Sequence, residues 1–229
     1  MEILSGKYTL TLCGGAFPLS TDSMVLADFV RLPRSARVLD LGSGCGTLGL
    51  LLCAKDDSCA VTGIELTEDA HACALDNIRS NGLDSRLYSI CADLRSMPEA
   101  LTPGSFDLCV SNPPYFSGGD ASRKTPLARR EDCCSPADLF SAASRFLRYG
   151  GDFYLVHKPE KLAQLCAEGS KAGLEPKRLR LVRHRSDGPI ALILLQCRKG
   201  GKPGLLIDEL ALCHADGSST EDRRRIYHE

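Results

Sequence analysis

Short apolar runs alternate with amphipathic segments along most of the chain. Each apolar run predicts a buried strand, and these are Arg37–Leu41, Ala60–Glu65, Arg86–Ala92, Phe106–Ser111, Asp152–His157, Arg178–Val182 and Ile190–Cys197. The segments between them have helical spacing, and the clearest are Thr47–Lys55, Thr67–Asn77, Pro136–Leu147 and Glu160–Ala172. This alternation predicts an α/β, Rossmann-like fold with a mostly parallel seven-stranded sheet and helices on both faces.

One domain is expected over residues 1–229, because no Gly/Ser-rich linker or internal repeat divides the chain. About 35 residues precede the first predicted strand, and residues 203–229 follow the last one as a C-terminal extension. Residues 113–135 form a long connection without clear periodicity, and such a loop within a compact domain favours a functional role. Ligands of doubly wound sheets bind at the C-terminal ends of the strands, so candidate chemistry is expected there.

Charge is unevenly distributed, although the formal net charge is only −1. Residues 1–122 carry 8 basic and 15 acidic side chains, residues 123–202 carry 17 and 8, and the last 27 residues carry 3 and 6. The basic section favours a polyanionic partner bound on one side. Ordinary surface lysines and arginines would give the same counts.

The N-terminus and the cysteines favour a cytoplasmic protein. The first residues lack a basic stretch followed by an apolar one, and no apolar run approaches membrane-spanning length. The 12 cysteines include no Cys-x-x-Cys and no zinc spacing, so no metal site is predicted. Most lie in apolar stretches, which predicts buried thiols in a reducing compartment rather than disulfides.

A glycine-rich turn, Asp40-Leu-Gly-Ser-Gly-Cys-Gly46, follows the first predicted strand and opens a helix. Gly42, Gly44 and Gly46 allow positive φ and a close approach of ligand to backbone. A carboxylate at Asp40 disfavours a pyrophosphate but suits a cation, such as the sulfonium and ammonium groups of S-adenosylmethionine. Taken alone, the turn could be purely structural.

Two further carboxylates follow the next predicted strands. Glu65 ends the second strand and can accept hydrogen bonds from ribose hydroxyls, and Asp93, after the third, can accept from an adenine amine. Each alone could be a helix cap or a loop carboxylate. Their conjunction with the glycine turn, at neighbouring strand ends, favours a site for S-adenosylmethionine.

Asn112-Pro-Pro-Tyr115 follows the fourth predicted strand. The Asn112 side-chain oxygen and the Pro113 carbonyl are candidate acceptors for a planar amine, which gains positive charge as its lone pair attacks a methyl group. Prolines 113 and 114 stiffen the turn, and Tyr115, extended by Phe116, can stack on a flat substrate. A Pro-rich structural turn is the alternative. Together with the glycine turn, the motif indicates methyl transfer to an sp2 nitrogen.

These motifs resemble those of the class I S-adenosylmethionine-dependent amino-methyltransferases. The catalytic residues that the resemblance implies are Asn112, Pro113, Pro114 and Tyr115. The cofactor-binding residues that it implies are Asp22, Asp40, Gly42, Gly44, Gly46, Glu65, Leu66, Asp93, Leu94 and Asn112.

Other stretches resemble the bacterial tRNA1(Val) adenine-37 N6-methyltransferases over nearly the whole chain. They are Phe17-Pro-Leu-Ser-Thr-Asp-Ser-Met-Val-Leu26, Asn112–Phe116, Ala128–Glu131, His157–Leu162 and Arg225–Tyr227. The resemblance implies methylation of the N6 amine of a tRNA adenine, with the 1–35 segment closing over the cofactor near Asp22. Asp22 could instead be a helix cap. Arg130 stands where that family usually has His, so its contact with the substrate is expected to differ.

The resemblance and the charge pattern imply that tRNA binds the loop after the Asn-Pro-Pro-Tyr turn. The candidate RNA-binding residues are Phe116, Arg123, Lys124, Arg129 and Arg130. A second basic run, from Lys177 to Arg185, lies on a predicted edge strand, where protection of the edge by charge explains it as well as RNA contact does. A monomer or weak dimer is expected.

Three other functions compete with this interpretation. A protein glutamine-N5 methyltransferase resembles the chain at the same turn, but usually carries an N-terminal helical domain for which about 35 residues are too few. A guanine-N2 rRNA methyltransferase often has a duplicated domain that this sequence lacks. An inactive RNA-binding module would not need Asp40, Glu65 and Asn112, and it would bind the cofactor weakly.

Overall fold

The computed structural model describes residues 2–4, 6–12, 20–113 and 134–228. The strands are β1 (Glu2–Leu4), β2 (Tyr8–Leu10), β3 (Arg37–Leu41), β4 (Ala60–Glu65), β5 (Leu87–Cys91), β6 (Phe106–Ser111), β7 (Leu147–His157), β8 (Leu174–Arg185), β9 (Ile190–Lys199) and β10 (Leu206–Cys213). The helices are α1 (Thr21–Phe29), α2 (Thr47–Lys55), α3 (Glu68–Ser80), α4 (Pro136–Phe146), α5 (Leu162–Lys171) and α6 (Glu221–Tyr227). A short 3-10 helix, Pro159–Lys161, precedes α5.

Eight strands form one sheet in the order β10-β8-β9-β7-β6-β3-β4-β5. Neighbouring strands are parallel except where β9 runs antiparallel to β7 and β8. Helices α1, α2, α3 and α6 pack on one face, and α4 and α5 pack on the other. The predicted Rossmann-like α/β class is confirmed, including helices on both faces.

The sheet has eight strands rather than the predicted seven, because β10 adds a parallel strand beside β8. Residues 203–229 are therefore part of the sheet and its helical layer, not only an extension. Leu206, Ile207, Asp208 and Glu209 are all exposed, and only the second half of β10 alternates between buried and partly buried residues. That half is too short to give a clear strand period in the sequence.

Strand β8, predicted at the edge, is an interior strand between β10 and β9. Arg180 makes two hydrogen bonds to Asp208 of β10, at 2.7 and 2.8 Å. Arg183 lies 3.6 Å from Glu209. Much of the basic charge on this strand is thus paired across the sheet, and the edge-protection interpretation is wrong because β10 covers that edge.

Helix termini follow the expected capping chemistry in α4 but not in α3. Ser135 and Asp138 form a reciprocal capping box at the start of α4, with Pro136 in its first turn. Thr67 occupies the cap position of α3, yet its hydroxyl donates to Glu65 Oε1 at 2.8 Å instead of capping the helix. This side chain therefore serves the end of β4 rather than the helix.

Helix α6 supports α1 from the outside. The Arg225 guanidinium pairs with Asp28 of α1, and the Tyr227 hydroxyl lies 3.0 Å from Thr21 Oγ1. Lys55 donates to three carbonyls at the end of α1, including Val30 O at 2.6 Å, which satisfies groups that the helix leaves open. The position of α1 is therefore fixed at both ends.

The cysteine prediction is only partly confirmed. Cys53, Cys59, Cys109 and Cys197 are buried free thiols, and Cys45 is also buried. Cys91 is exposed and Cys73 is disulfide-bonded, so the prediction is wrong for these two. Within the described ranges, no helix combines the length and the apolar character needed to cross a membrane.

Candidate active site

Several predicted cofactor and amine residues that the structure describes lie where the strand order reverses. Strand β3 lies between β4 and β6, and all three run parallel with β5. The glycine turn therefore leaves β3 at the edge where Glu65 ends β4, Asp93 follows β5 and Asn112 follows β6. Such a switch point is where ligands bind in open α/β sheets.

The backbone of the glycine turn adopts positive φ angles, which would be strained in a residue that carries a side chain. Gly42, Gly44 and Gly46 have φ of 76°, 55° and 84°. The amides of Gly42 and Ser43 both donate to Ile64 O at 3.0 Å, which ties the turn to β4. A Cβ at Gly42 or Gly44 would meet nothing within 4 Å, so conformation rather than space selects glycine there. The turn leaves an open concave backbone surface at the start of α2.

Asp40 is buried beneath this turn, with 1% of its surface exposed. Neither carboxylate oxygen has a hydrogen-bond partner among the described residues. Burial, and secondarily the nearby Glu65 charge, raise the pKa of Asp40 to about 8. A cavity of about 10 Å³ beside Asp40 has room for about one water molecule. Asp40 thus places potential negative charge under the turn, where a bound cation would favour its ionised form.

Glu65 joins the turn to the end of β4. Its Oε2 accepts from Gly44 N at 2.9 Å, and its Oε1 accepts from Thr67 N at 2.9 Å. A carboxylate has about four acceptor positions, so Glu65 keeps capacity for further donors. It is both a brace for the turn and a candidate ligand group.

The predicted cofactor residues after β4 and β5 differ in their exposure and in their hydrogen bonding. Leu66 is 47% exposed, a position from which its side chain can cover a flat ligand. Leu94 is partly buried against the core. Asp93 is held by several hydrogen bonds from Arg95, and these lower its pKa. Its carboxylate is therefore already engaged, unlike the free acceptor expected from the sequence.

Asn112 is oriented by Ser23, a residue of the Phe17–Leu26 stretch to which the sequence assigned no role of its own. Its Nδ2 donates to the hydroxyl of Ser23 in α1 at 3.0 Å. This contact commits the amide nitrogen and leaves Oδ1 as the acceptor for a substrate amine. Ser111, one residue earlier, donates to Leu41 O at 2.7 Å, which joins the end of β6 to the start of the glycine turn.

Asp22 is partly buried in the first turn of α1, next to Ser23. The cap of α1 is Ser20, whose hydroxyl accepts from Ser23 N at 3.4 Å. The cap alternative for Asp22 is therefore wrong, because Ser20 already fills that role. Helix α1 begins at the same edge as the glycine turn.

Sequence reasoning missed two supports of the turn. Asn77 of α3 is buried, and its Nδ2 donates to Cys45 O and to Thr11 O, each at 2.9 Å. Gly63 of β4 leaves room for Ser43, since a Cβ there would meet Ser43 Oγ at 2.5 Å. A buried asparagine on a helix and a glycine within an apolar strand were the available signals.

Several predicted site residues lie outside the described residues. They are Pro114, Tyr115, Phe116, Arg123, Lys124, Arg129 and Arg130. Pro113 is described and partly buried. Within the described part of the chain, no group of three or more His, Cys, Asp or Glu side chains could hold a metal ion.

Known proteins share both motifs and fold with this chain. Residues 18–166 match the family model described as methyltransferase small domain. A tRNA1(Val) (adenine(37)-N6)-methyltransferase of Bacteroides fragilis is 32% identical over 178 residues, which cover 76% of this chain and 74% of the relative. The enzyme of the same name from Serratia proteamaculans is 28% identical over 214 residues, covering 92% of this chain and 82% of the relative.

Solved structures extend the likeness to the fold. A predicted O-methyltransferase from Agrobacterium tumefaciens has a TM-score of 0.76 at 21% identity, and the match covers 91% of this chain and 96% of that one. A SAM-dependent methyltransferase from Aquifex aeolicus has a TM-score of 0.57 at 15% identity, with 76% and 87% covered. At these identities the comparison concerns the fold alone.

Proposed function

Because this chain belongs to the methyltransferase small domain family and has tRNA1(Val) (adenine(37)-N6)-methyltransferases among its relatives, we propose that it methylates the exocyclic N6 amine of an adenine in tRNA. The proposed position is adenine 37 of tRNA1(Val). The proposed unit is a single domain over residues 1–229, acting in the cytoplasm as a monomer or weak dimer. The observation that carries the proposal is the oriented Asn112 amide beside the glycine turn.

The residues around the glycine turn fit S-adenosylmethionine, the methyl donor of this enzyme class. Asp40 is a buried carboxylate without a partner among the described residues, which suits a cationic ligand. The glycines leave the backbone open to close approach. Glu65 can accept from ribose hydroxyls, Leu66 can cover the adenine, and Asp93 can accept an amine if it shares its carboxylate with Arg95. Asp22, Leu94 and Asn112 complete the proposed contacts.

When bound, S-adenosylmethionine supplies an electrophilic methyl group carried on a positively charged sulfur. The protein's part is to hold the amine and stabilise its developing charge. Asn112 Oδ1 and the Pro113 carbonyl accept from the two N–H groups of the adenine amine, and these bonds strengthen as positive charge builds on nitrogen. No strong base is needed, because the amine becomes acidic only after it has gained the methyl group.

Three supports make this acceptor pair rigid. Ser23 holds the Asn112 amide nitrogen, so the oxygen is aimed before the substrate arrives. Ser111 ties the same strand end to Leu41, next to the glycine turn. Proline at positions 113 and 114 restricts the backbone that carries the carbonyl acceptor.

The proposed tRNA contacts follow the catalytic turn in the sequence. Tyr115 and Phe116 would stack on the adenine, a contact that is typical of flipped bases. Arg123, Lys124, Arg129 and Arg130 would bind phosphates, since each phosphate neutralised by a basic side chain releases counterions. Arg130, where the resemblance led us to expect His, is assigned a phosphate contact.

The experiment is incubation of the purified protein with methyl-labelled cofactor and, in separate reactions, total tRNA, a tRNA1(Val) transcript, rRNA or a protein fraction, followed by mass spectrometry of nucleosides and of digested protein. The expected product is N6-methyladenosine, absent from a matched transcript with guanine at position 37. Methyl label in N2-methylguanosine of rRNA, or in glutamine of an added protein fraction with none in tRNA, would contradict the proposal.

A further inference from the structure

A second cavity opens at the opposite edge of the sheet from the glycine turn. Its volume is about 850 Å³, and we call it the basal cavity. Asp107 of β6, Asp152 of β7 and Arg178 of β8 line it. Leu108, also in its wall, precedes Asn112 by four residues, which corresponds to about 13 Å along a strand. Of the described residues assigned to cofactor or amine, none lines this cavity.

The basal cavity carries a surplus of positive charge. Its two acidic residues are already paired: Arg148 bonds Asp107 at 2.6 Å, and Arg198 makes two bonds of 2.8 Å to Asp152. Three further basic side chains, Arg31, Lys177 and Arg178, line the same space. The lining therefore favours an anion.

Arg31 and Arg178 have no acidic partner within salt-bridge distance among the described residues. Arg178 stacks on the Phe29 ring, with its guanidinium carbon 4.3 Å from the ring centroid. Its Nη1 is buried and has no hydrogen-bond partner in the described part of the chain. Burial, and then repulsion from Arg31, lower the pKa of Arg178. Two guanidinium groups that repel each other across a cavity would be stabilised by an anion between them.

A buried acceptor faces the same cavity. Gln196 of β9 is 4% exposed and lines the basal cavity, and its Oε1 has no donor among the described residues. Buried amide oxygens are normally hydrogen-bonded, so Gln196 Oε1 is suited to accept a hydrogen bond from a ligand in this cavity. Leu32, Leu108 and Leu205 supply apolar wall. A bare inorganic anion would leave both the wall and this oxygen unused.

We propose that the basal cavity binds a ligand of the nucleoside monophosphate class, with its phosphate between Arg31 and Arg178 and an amino or hydroxyl donor on Gln196 Oε1. The planar base lies against the apolar wall. The ligand is either a free mononucleotide or a 5′-phosphorylated terminal nucleotide of RNA, which share this chemistry. The site is separate from methyl transfer, so its test does not depend on the proposed activity.

The test is calorimetric titration of the full-length protein saturated with S-adenosylhomocysteine, which blocks the glycine-turn site. The probes are AMP, adenosine, inorganic phosphate and a 5′-phosphorylated pentaribonucleotide. AMP is expected to bind saturably and at least about tenfold more tightly than adenosine, since the phosphate supplies the charge-assisted bonds. If the protein binds the oligonucleotide but not AMP, the site is one for RNA ends. If it binds AMP but not the oligonucleotide, the site is one for free nucleotides.

Arg31→Gln is the main variant, because Arg31 is exposed and its replacement leaves the core intact. It and Arg178→Gln are expected to weaken AMP binding at least about tenfold. Gln196→Met is expected to weaken the binding of AMP but not the binding of inorganic phosphate. Arg34→Gln, an exposed arginine nearby that does not line the cavity, is the matched control and should bind as wild type. Absence of saturable binding by AMP and oligonucleotide, or undiminished binding in Arg31→Gln, would overturn the proposal.

Discussion

The amide nitrogen of Asn112 bonds the hydroxyl of Ser23, which lies 89 positions earlier in the chain. This contact joins the end of β6 to the first helix and decides which face of the amide meets a substrate. Asparagine Oδ1 and Nδ2 are nearly the same size, so without a fixed acceptor for Nδ2 the side chain could present either group to a substrate. The Ser23 hydroxyl, buried in α1, removes that ambiguity.

Ser23→Ala is therefore expected to lower kcat for methyl transfer by about fivefold, equivalent to one hydrogen bond of about 1 kcal/mol. Affinity for S-adenosylmethionine should change little, because Ser23 does not touch the glycine turn. Steady-state kinetics together with calorimetry separates the two effects. Ser20→Ala is the control: it removes the α1 cap at a cost of about 1 kcal/mol of stability and should retain wild-type turnover. Equal losses in both variants would indicate a general effect of α1 instead.

Asp40→Asn tests the charge beneath the turn. The pKa of Asp40 is raised from 3.8 to about 8, so the folded state binds the proton more tightly than the unfolded state. The resulting stability is fully present below pH 3.8 and is lost as pH rises through about 8. At pH 9, without ligand, the free energy of unfolding of Asp40→Asn should exceed that of wild type by about 2 kcal/mol. At pH 4 the two proteins should differ little. Urea unfolding at the two pH values measures this.

The same substitution should weaken binding of S-adenosylmethionine by at least about tenfold at pH 8, because the ionised carboxylate attracts the cation. Wild-type affinity should rise relative to the variant as pH increases from 6 to 9. The ligand's own titration is common to both proteins, so their difference reports Asp40. A constant difference across this range would show that Asp40 does not titrate on binding.

Gly63→Ala tests whether the glycine turn needs the space on β4. A Cβ at Gly63 would meet Ser43 Oγ at 2.5 Å and Ser43 Cβ at 2.7 Å, so the turn must move. Affinity for S-adenosylmethionine is expected to fall about tenfold, an effect measurable by calorimetry. Gly49→Ala is the matched control, since its Cβ meets only the end of the Leu87 side chain, at 2.6 Å, which can rotate. If Gly63→Ala retained wild-type affinity, the position of Ser43 in the glycine turn would not matter for cofactor binding.

Much of the fold was predictable because the central strands are continuous apolar runs. The observed bounds of β3, α2, β4 and β6 coincide with the predicted ones. Strand β10 was missed because its first half is exposed and broken by Asp208 and Glu209. The error for β8 followed from this, since a strand's neighbours depend on long-range pairing that local periodicity does not report.

The site was predictable where its chemistry is local in the sequence. The glycine turn and Asn112 lie within short motifs at strand ends, and the structure brings them to one edge. The roles of Ser23, within the Phe17–Leu26 stretch, and of Asn77 were not predicted, because they are contacts with distant backbone and side chains. The engagement of Asp93 by Arg95 was also invisible, since many Asp-x-Arg pairs are ordinary surface charges.

Removal of positive charge from the segment after the catalytic turn tests its proposed contacts with tRNA phosphates. In a double variant, Gln replaces both Arg129 and Arg130. Its tRNA binding should be weaker, and the magnitude of the slope of log K against log salt should fall by up to about 2. Fluorescence anisotropy over a salt series measures this slope. Replacing Arg34 and Arg79, two exposed arginines, removes the same formal charge and should leave the slope unchanged. Equal slopes in both double variants would indicate ordinary surface arginines at 129 and 130.

The most direct measurement is methyl transfer to tRNA by Asn112→Ala under single-turnover conditions, with cofactor affinity determined by calorimetry on the same preparation. We expect a rate at least about 100-fold below wild type with S-adenosylmethionine affinity within about threefold, because Asn112 is only one of the proposed cofactor contacts and its oxygen acts mainly on the developing charge. Turnover at the wild-type rate, with the protein folded and the cofactor bound, would contradict it.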